Sequence, residues 1–248
     1  MKISIITAVK NRATIVGRAL ESLKIQDYPN WEHLIVDGSS VDGTREIILG
    51  YHRSMGDKVL LIDELDQGLY GALNLGLAHA TGDVVGFLHS DDYFASKTVL
   101  SEIIQCFSDK SVDAIYGNLN YVSNSTSGKV YRQWSSRNFN QHLLKFGWMP
   151  PHPTLYMRKE VYERIGNFNS DYKISADYDL VLRCFKSPHF KSKYLPKTLV
   201  VMGVGGVSNG GYSSFITKAK EDFKILKNHQ IWGGALIFKK LLKIVQFF

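Results

Sequence analysis

Asp91 and Asp92 close the apolar run Val84-Val85-Gly86-Phe87-Leu88-His89-Ser90. A run of this length and composition reads as a strand, and open α/β folds place their ligands at the carboxyl ends of strands. Hard oxygen donors select Mg²⁺ or Mn²⁺, ions commonly held by one or two carboxylates while substrate phosphates complete the shell. The same two residues also suit a polar turn ahead of a helix that starts near Ser96 and runs through Val99-Leu100 and Ile103-Ile104. A second acidic site follows another strand-like run, in Val36-Asp37-Gly38-Ser39-Ser40-Val41-Asp42-Gly43-Thr44. Asp37 can accept hydrogen bonds from a base or a ribose, and Asp42 caps or enters the next helix. A third lies in Ser175-Ala176-Asp177-Tyr178-Asp179, at the start of a helix carried on by Leu180, Val181, Leu182 and Phe185. The helix dipole keeps a carboxylate there ionised, the state that accepts a proton from an attacking hydroxyl and contributes about 10²–10⁴-fold in rate. Simple complementation of that dipole explains Asp177 and Asp179 as well.

The elements that must position these groups alternate through the first half of the chain. Lys2 to Val9, Trp31 to Val36, Lys58 to Ile62 and Asp83 to Leu88 are predicted as strands, with helices over Thr14 to Lys24, Asp42 to Tyr51 and Tyr70 to Ala80. That alternation predicts a parallel sheet covered by helices, with the polar loops after its four strands along one edge. From about residue 112 the elements shorten and aromatics thicken, among them Tyr116, Tyr121, Tyr131, Trp134, Phe139, Phe146 and Trp148. Core packing is the default role for each, and stacking on a sugar face is the alternative. Pro150-Pro151-His152-Pro153 forces an extended turn. There His152 is either a contact to the acceptor or diphosphate or a hydrogen-bonded structural histidine. Gly203 to Gly211, which includes Gly205, Gly206 and Ser208, is too glycine-rich for a rigid element and reads as a loop that closes over a ligand or links to the final helices.

The chain has 248 residues, which suits one continuous catalytic unit, and its two cysteines, Cys106 and Cys184, have no spacing that suggests a zinc cluster or a disulfide framework. The formal charge of +7 favours an anionic partner. No basic-aromatic recognition motif accompanies it, so nucleic acid is not expected. Trp232 to Phe248 holds no acidic residue. As a helix it gathers Lys239, Lys240 and Lys243 on one face and apolar residues over much of the rest, a pattern suited to an anionic membrane surface or to docking on protein. With no basic leader ahead of Ile3-Ser4-Ile5-Ile6, the expected location is cytoplasmic, with the inner face of the plasma membrane as the surface this segment would touch.

Taken in order, the motifs closely resemble those of the family 2 glycosyltransferases with the GT-A fold. They are Ser4 to Asn11, Asp37 to Thr44, Glu64-Leu65-Asp66-Gln67-Gly68-Leu69-Tyr70, Asn74-Leu75-Gly76, Ala80-Thr81-Gly82-Asp83, Ser90-Asp91-Asp92 and Ser175 to Asp179. The resemblance covers most of residues 3 to about 210 and implies an α/β fold. Its central sheet would be Rossmann-like, mostly parallel and flanked by helices, with a smaller mixed acceptor-side region and C-terminal helices. A catalytic domain would span 1–211, with a nucleotide-binding half of about 1–110 and an acceptor half of about 111–211, followed by a helical segment over 212–248. By the same resemblance Thr7, Ala8, Asn11, Asp37 and Asp66 would surround the base and ribose. Asp91 would lie near the ribose or diphosphate, Asp92 would bind Mn²⁺ or Mg²⁺, and Asp177 would be the catalytic base of a single inverting displacement. Asp179 would support it, and His152, Gly205, Gly206 and Ser208 would serve the acceptor or a lid. The implied partners are a nucleotide diphosphate sugar and a hydroxyl acceptor on a lipid-linked glycan, as in bacterial surface polysaccharide assembly.

The chain departs from the common pattern in three places. It lacks a proline soon after the first strand, carries His89 where relatives have an acid, and has Gly71 where similar proteins often carry one. The transmembrane helices and Gln-x-x-Arg-Trp motif of processive synthases are not found, which predicts one sugar per encounter. A sugar-nucleotide nucleotidyltransferase is the rival enzyme, but its glycine-rich basic phosphate loop is missing. A catalytically silent nucleotide-binding module at the membrane is the rival that is not an enzyme.

Overall fold

The computed structural model describes residues 1–64, 67–123, 129–203, 211–238 and 246. The first half follows the alternation of its apolar runs. β1 (Ile3–Val9), β2 (Trp31–Asp37), β3 (Val59–Asp63) and β4 (Val84–Phe87) are separated by α1 (Val16–Lys24), α2 (Thr44–Met55) and α3 (Gly68–His79). Each predicted strand and helix is found, with ends moved by a few residues. In α1 the buried Val16, Ala19, Leu20 and Leu23 recur at helical spacing, so one stripe meets the sheet while Arg18 and Glu21 face water.

Neighbouring strands run β3-β2-β1-β4 with every pairing parallel. Val9 is level with Asp37, and Asp37 with Asp63, so the three carboxyl ends finish at one height. The sheet continues through β8 (Tyr156–Arg158), β6 (Ala114–Val122), β9 (Ser192–Gly203) and β5 (Asp92–Phe94), while β7 (Val130–Trp134) pairs with β6 from the side. Beyond β4 the pairings are mixed: β4 with β8, β8 with β6, and β9 with β5 are antiparallel, and β6 with β9 is parallel. One sheet therefore carries both the nucleotide-side and acceptor-side halves. The helices α4 (Val99–Cys106), α5 (Lys159–Ile165), α6 (Ala176–Lys186) and α7 (Gly211–Asn228) complete the described fold.

Side chains from the two faces of β1 separate the core into layers. Ile3 and Ile5 join Leu23, Leu100 and Ile103, whereas Ile6 joins Leu73, Leu77, Val181 and Phe185. Gly76 lets α3 lie this close, because a Cβ there would meet Ile6 Cγ2 at 2.5 Å. At the amino edge of the sheet, Glu32 accepts hydrogen bonds from Ser4 Oγ at 2.5 Å and from Thr81 N at 2.6 Å, and Gly82 N donates to Ser4 Oγ at 2.8 Å. Burial raises the Glu32 carboxyl, but hydrogen bonds from Lys2, Ser4 and Thr81 outweigh it and hold the group at about 2. Ala80-Thr81-Gly82-Asp83 is thus a latch at the edge opposite the candidate site. Of the acceptor-side aromatics, Tyr116 and Trp148 are buried and pack with Phe139 and Phe185, while Tyr131 and Phe146 are exposed. No helix among the described residues is long and apolar enough to cross a membrane.

Candidate active site

The loops after β1 and β2 are stitched into one rim. Asn11 N donates to Ser40 Oγ and Asn11 Oδ1 accepts from Val41 N, both at 2.9 Å, with Asn11 itself at φ 53°. Asp42 accepts from Ala13 N at 3.1 Å and also from Thr44 N, so it braces both the rim and the start of α2. Asn11 is exposed and Ala8 half-buried at this rim. Asp37 is buried at the tip of β2, where it accepts Ser40 Oγ at 2.5 Å, Ser40 N at 3.2 Å and Arg45 Nη1 at 3.3 Å. Arg45 also pairs with Asp63 at the tip of β3. The Asp37 carboxylate is therefore engaged within the protein, and a base or ribose reaching it would exchange with Ser40 or Arg45. Asp66, Gly205, Gly206 and Ser208 lie outside the described residues.

Thr7 sits elsewhere than the nucleotide-binding expectation put it. Its side chain is fully buried, donating to the Leu88 carbonyl at 2.6 Å and lying 2.9 Å from His33 Nε2. The single hydroxyl hydrogen goes to Leu88, so His33 carries its proton on Nε2 and donates to Thr7. Thr7 thus ties β1 to the end of β4 and does not face the crevice. Strand parity explains this: residues 3, 5 and 7 share one face of β1, and both faces of this sheet are covered.

The two aspartates after β4 point apart. A turn closed by Asp92 N donating to the His89 carbonyl at 3.0 Å lets β5 begin at Asp92. Asp92 and Phe94 then share the inner face of β5, with Asp92 1% exposed. Among the described residues neither Asp92 carboxylate oxygen has a hydrogen-bond partner, and burial, with Asp91 adding to it, pushes the carboxyl well above the usual range. Its further electrostatic neighbour is Tyr121 on β6. Asp91 is half-buried and acts instead on His89, which Asp177 also influences. The crevice-side carboxylate of the pair is accordingly Asp91, and Asp92 lies behind it. All-oxygen donors and two otherwise unpartnered oxygens suit a hard divalent cation. Among the described residues no three acidic, histidine or cysteine side chains converge to hold a metal by themselves, so ligand oxygens would have to complete the shell.

Across the crevice stands α6, whose first turn carries Asp177, half-buried. Tyr70 Oη on α3 lies 2.8 Å from the Ile174 carbonyl, to which it donates, and 3.3 Å from Asp177 Oδ1. His152 fills the floor, 7% exposed, stacked on Phe87 at 5.5 Å between ring centroids and 5.9 Å from His89. Neither ring nitrogen of His152 has a partner among the described residues. Burial lowers its pKa to about 4 against the pull of Asp177, with His89 lowering it further, so it is neutral and can both donate and accept a hydrogen bond. Asp179 does not face this space: it is 7% exposed, with its oxygens 2.9 Å from His229 Nε2 and 2.8 Å from Arg183 Nε. It holds α6 to His229, just past α7, away from the acceptor or lid position that the resemblance also allowed for it. Gly71, in place of an acid, lies under Gln67, whose Cβ would be 2.4 Å from a Cβ at 71. Sequence reasoning assigned no role to Tyr70, Arg45 or His33, although Tyr70 stood within a motif.

Residues 4–166 match the family model described as "Glycosyl transferase family 2". A "PGL/p-HBAD biosynthesis glycosyltransferase" of Mycobacterium bovis (strain BCG / Pasteur 1173P2) is 28% identical over 208 residues, which are 83% of this chain and 78% of that protein. Among solved structures, S. aureus TarS 1-349 in complex with UDP-GlcNAc superposes with a TM-score of 0.71 at 19% identity, covering 94% of this chain and 69% of that one. The chain spans 43% of the longer TarS structure. The mannosyltransferase PcManGT from Pyrobaculum calidifontis, in complex with GDP-Man and Mn²⁺, gives a TM-score of 0.67 at 20% identity, covering 97% of this chain and 69% of that one.

Proposed function

The chain belongs to glycosyl transferase family 2 and has the GT-A fold, and on that premise we propose that it moves a sugar from a nucleotide diphosphate donor to an acceptor hydroxyl with inversion. The observation that carries this reading is the convergence of Asp91, His89, His152 and Asp177 at the carboxyl edge of the parallel strands. The donor's base and ribose would lie against the stitched rim of Ala8, Asn11 and Asp37, and the structural neighbours TarS and PcManGT are complexes with UDP-GlcNAc and with GDP-Man. Asp177 accepts the proton of the acceptor hydroxyl as its oxygen bonds to the anomeric carbon. The bond from that carbon to the diphosphate breaks, and the nucleoside diphosphate leaves with the electron pair. Tyr70 holds the Ile174 carbonyl in the turn ahead of Asp177, and neutral His152 offers a hydrogen bond to the diphosphate or acceptor from the crevice floor.

Mg²⁺ or Mn²⁺ would be held by Asp91, with Asp92 behind it, and when bound supplies neutralisation of the diphosphate charge. Large side chains exposed toward the C-terminus, namely Phe223, Trp232 and Ile237, together with Lys220, Lys224 and Lys227, support an acceptor carried on a membrane lipid. This fits assembly of a bacterial surface glycan at the inner face of the membrane. The test is nucleoside diphosphate release from a panel of UDP-, GDP- and dTDP-sugars with Mn²⁺ or Mg²⁺. Asp177→Asn is expected to lower turnover by about 10²–10⁴-fold while donor-induced thermal stabilisation persists. Full turnover in that variant overturns the assignment of the base.

A further inference from the structure

We propose that Glu221, on α7, is a positioning residue for the Asp177 base, gripping the turn from which α6 starts. The side chain reaches across 46 residues of chain to that turn. Its Oε1 accepts from Lys173 N at 2.8 Å, and its Oε2 accepts from Ile174 N at 3.0 Å and Ser175 N at 2.9 Å. Three successive backbone N–H groups directed at one carboxylate form an anion-binding concavity, and bonds to an ionised acceptor are roughly twice as strong as neutral ones. The opposite side of the same peptides is held as well, since Tyr70 Oη donates to the Ile174 carbonyl at 2.8 Å. The turn is thus clamped through its N–H groups by α7 and through a carbonyl by α3. Ser175, which ends it, flanks the first residue of α6 and accepts Tyr178 N at 3.0 Å and Asp179 N at 3.2 Å, so its placement sets the path of the residue between, Asp177.

Ser175 makes no side-chain cap to the helix, and its hydroxyl lies 3.3 Å from Lys218 Nζ of α7. Two residues after Asp177, in the same first turn, Asp179 pairs with His229 just past the end of α7. The C-terminal helix is therefore a brace for the carboxylate that takes the proton, and a displacement of about 1 Å at a reacting group can cost about 10²-fold in rate. A purely structural latch would lower stability and leave the turnover of the folded fraction unchanged.

The role presupposes Asp177 as the base, so the test measures both residues singly and together. Glu221→Gln keeps the shape but sets an NH₂ against at least one N–H donor, and Glu221→Asp keeps the charge on a shorter arm. With the donor and metal found in the panel above, Glu221→Gln is expected to lower kcat by about 10–100-fold with donor KM within about 2-fold. Glu221→Asp should recover part of that loss, and amide exchange at 173–175 should quicken in Glu221→Gln. In the Asp177→Asn background, Glu221→Gln should cost nothing further, because the group it positions is gone. Unchanged kcat in Glu221→Gln, or a full additional loss on top of Asp177→Asn, overturns the positioning role while leaving the base assignment intact. Full turnover in Asp177→Asn overturns the base assignment, and the positioning role with it. Should Glu221→Gln not fold, Glu221→Asp decides: a lowered kcat together with quickened exchange at 173–175 supports the clamp, and wild-type kcat with quickened exchange overturns it.

Discussion

His33 should make the protein acid-labile beneath its nucleotide-side rim. The imidazole is fully buried in β2, donates to Thr7 through Nε2, and has no partner at Nδ1 among the described residues. Burial lowers its pKa to about 3 from the ordinary histidine value of about 6.5. The sign follows from proton counts. Between those two values the unfolded chain binds a proton that the folded protein refuses, so lowering the pH favours unfolding. The stabilisation is complete above the unfolded pKa and is lost as pH falls through it, at about 1.4 kcal/mol per pH unit until the folded pKa is reached. From pH 7 to pH 5 this amounts to about 2 kcal/mol, or about 4–8 °C in Tm for a domain of this size. His33→Gln carries an amide that reaches toward Thr7 but does not titrate, so whatever it costs at pH 7, its further loss at pH 5 should be smaller than wild type by that amount. Urea unfolding of both proteins at the two pH values, without metal or donor, measures the difference. Equal pH dependence in the two would refute the claim that a neutral, buried His33 is what acid attacks.

Two further outcomes are expected. Asp91→Asn should abolish metal-dependent thermal stabilisation by a donor sugar nucleotide. Asp92→Asn should raise the Tm of the metal-free protein by at least about 2–4 °C, because it removes a buried ionisable group with no partner; a lower Tm contradicts the inward placement of Asp92. Deleting residues 232–248 should reduce co-sedimentation with vesicles containing anionic lipid, more at low salt than at high, and unchanged binding discards the membrane-surface reading.

Residues that could do chemistry were legible because this fold puts them where backbone regularity ends. Each of β1 to β4 is an apolar run bounded by polar or glycine-containing sequence, and their parallel order brings Asn11, Asp37 and Asp91 to one edge. Side-chain direction was not legible in the same way. Thr7 looked like a loop-side hydroxyl, yet a strand covered on both faces gives no alternation from which to read inward from outward. The division of Asp91 and Asp92 depended on β5, three residues long and defined by its pairing with β9 more than a hundred residues later. A local reading of residues 92–94 saw a turn and a cap.

The same limit explains why Asp177 was singled out in the sequence and the residues that hold its turn were not. Asp177 announces itself by standing in the first turn of a helix, a signal carried within five residues. Glu221 carries no such signal, since acidic residues on an amphipathic helix are ordinary and only the packing of α7 on α6 turns this one toward residues 173–175. Tyr70 is similar: its motif marked it, but its hydroxyl acts on a carbonyl 104 residues away. A half-exposed carboxylate on a short helix keeps its direction only if the turn before it cannot shift. The two residues that hold that turn come from helices on either side of it, and substitutions in α7, remote from the donor crevice in sequence, should therefore register first in kcat.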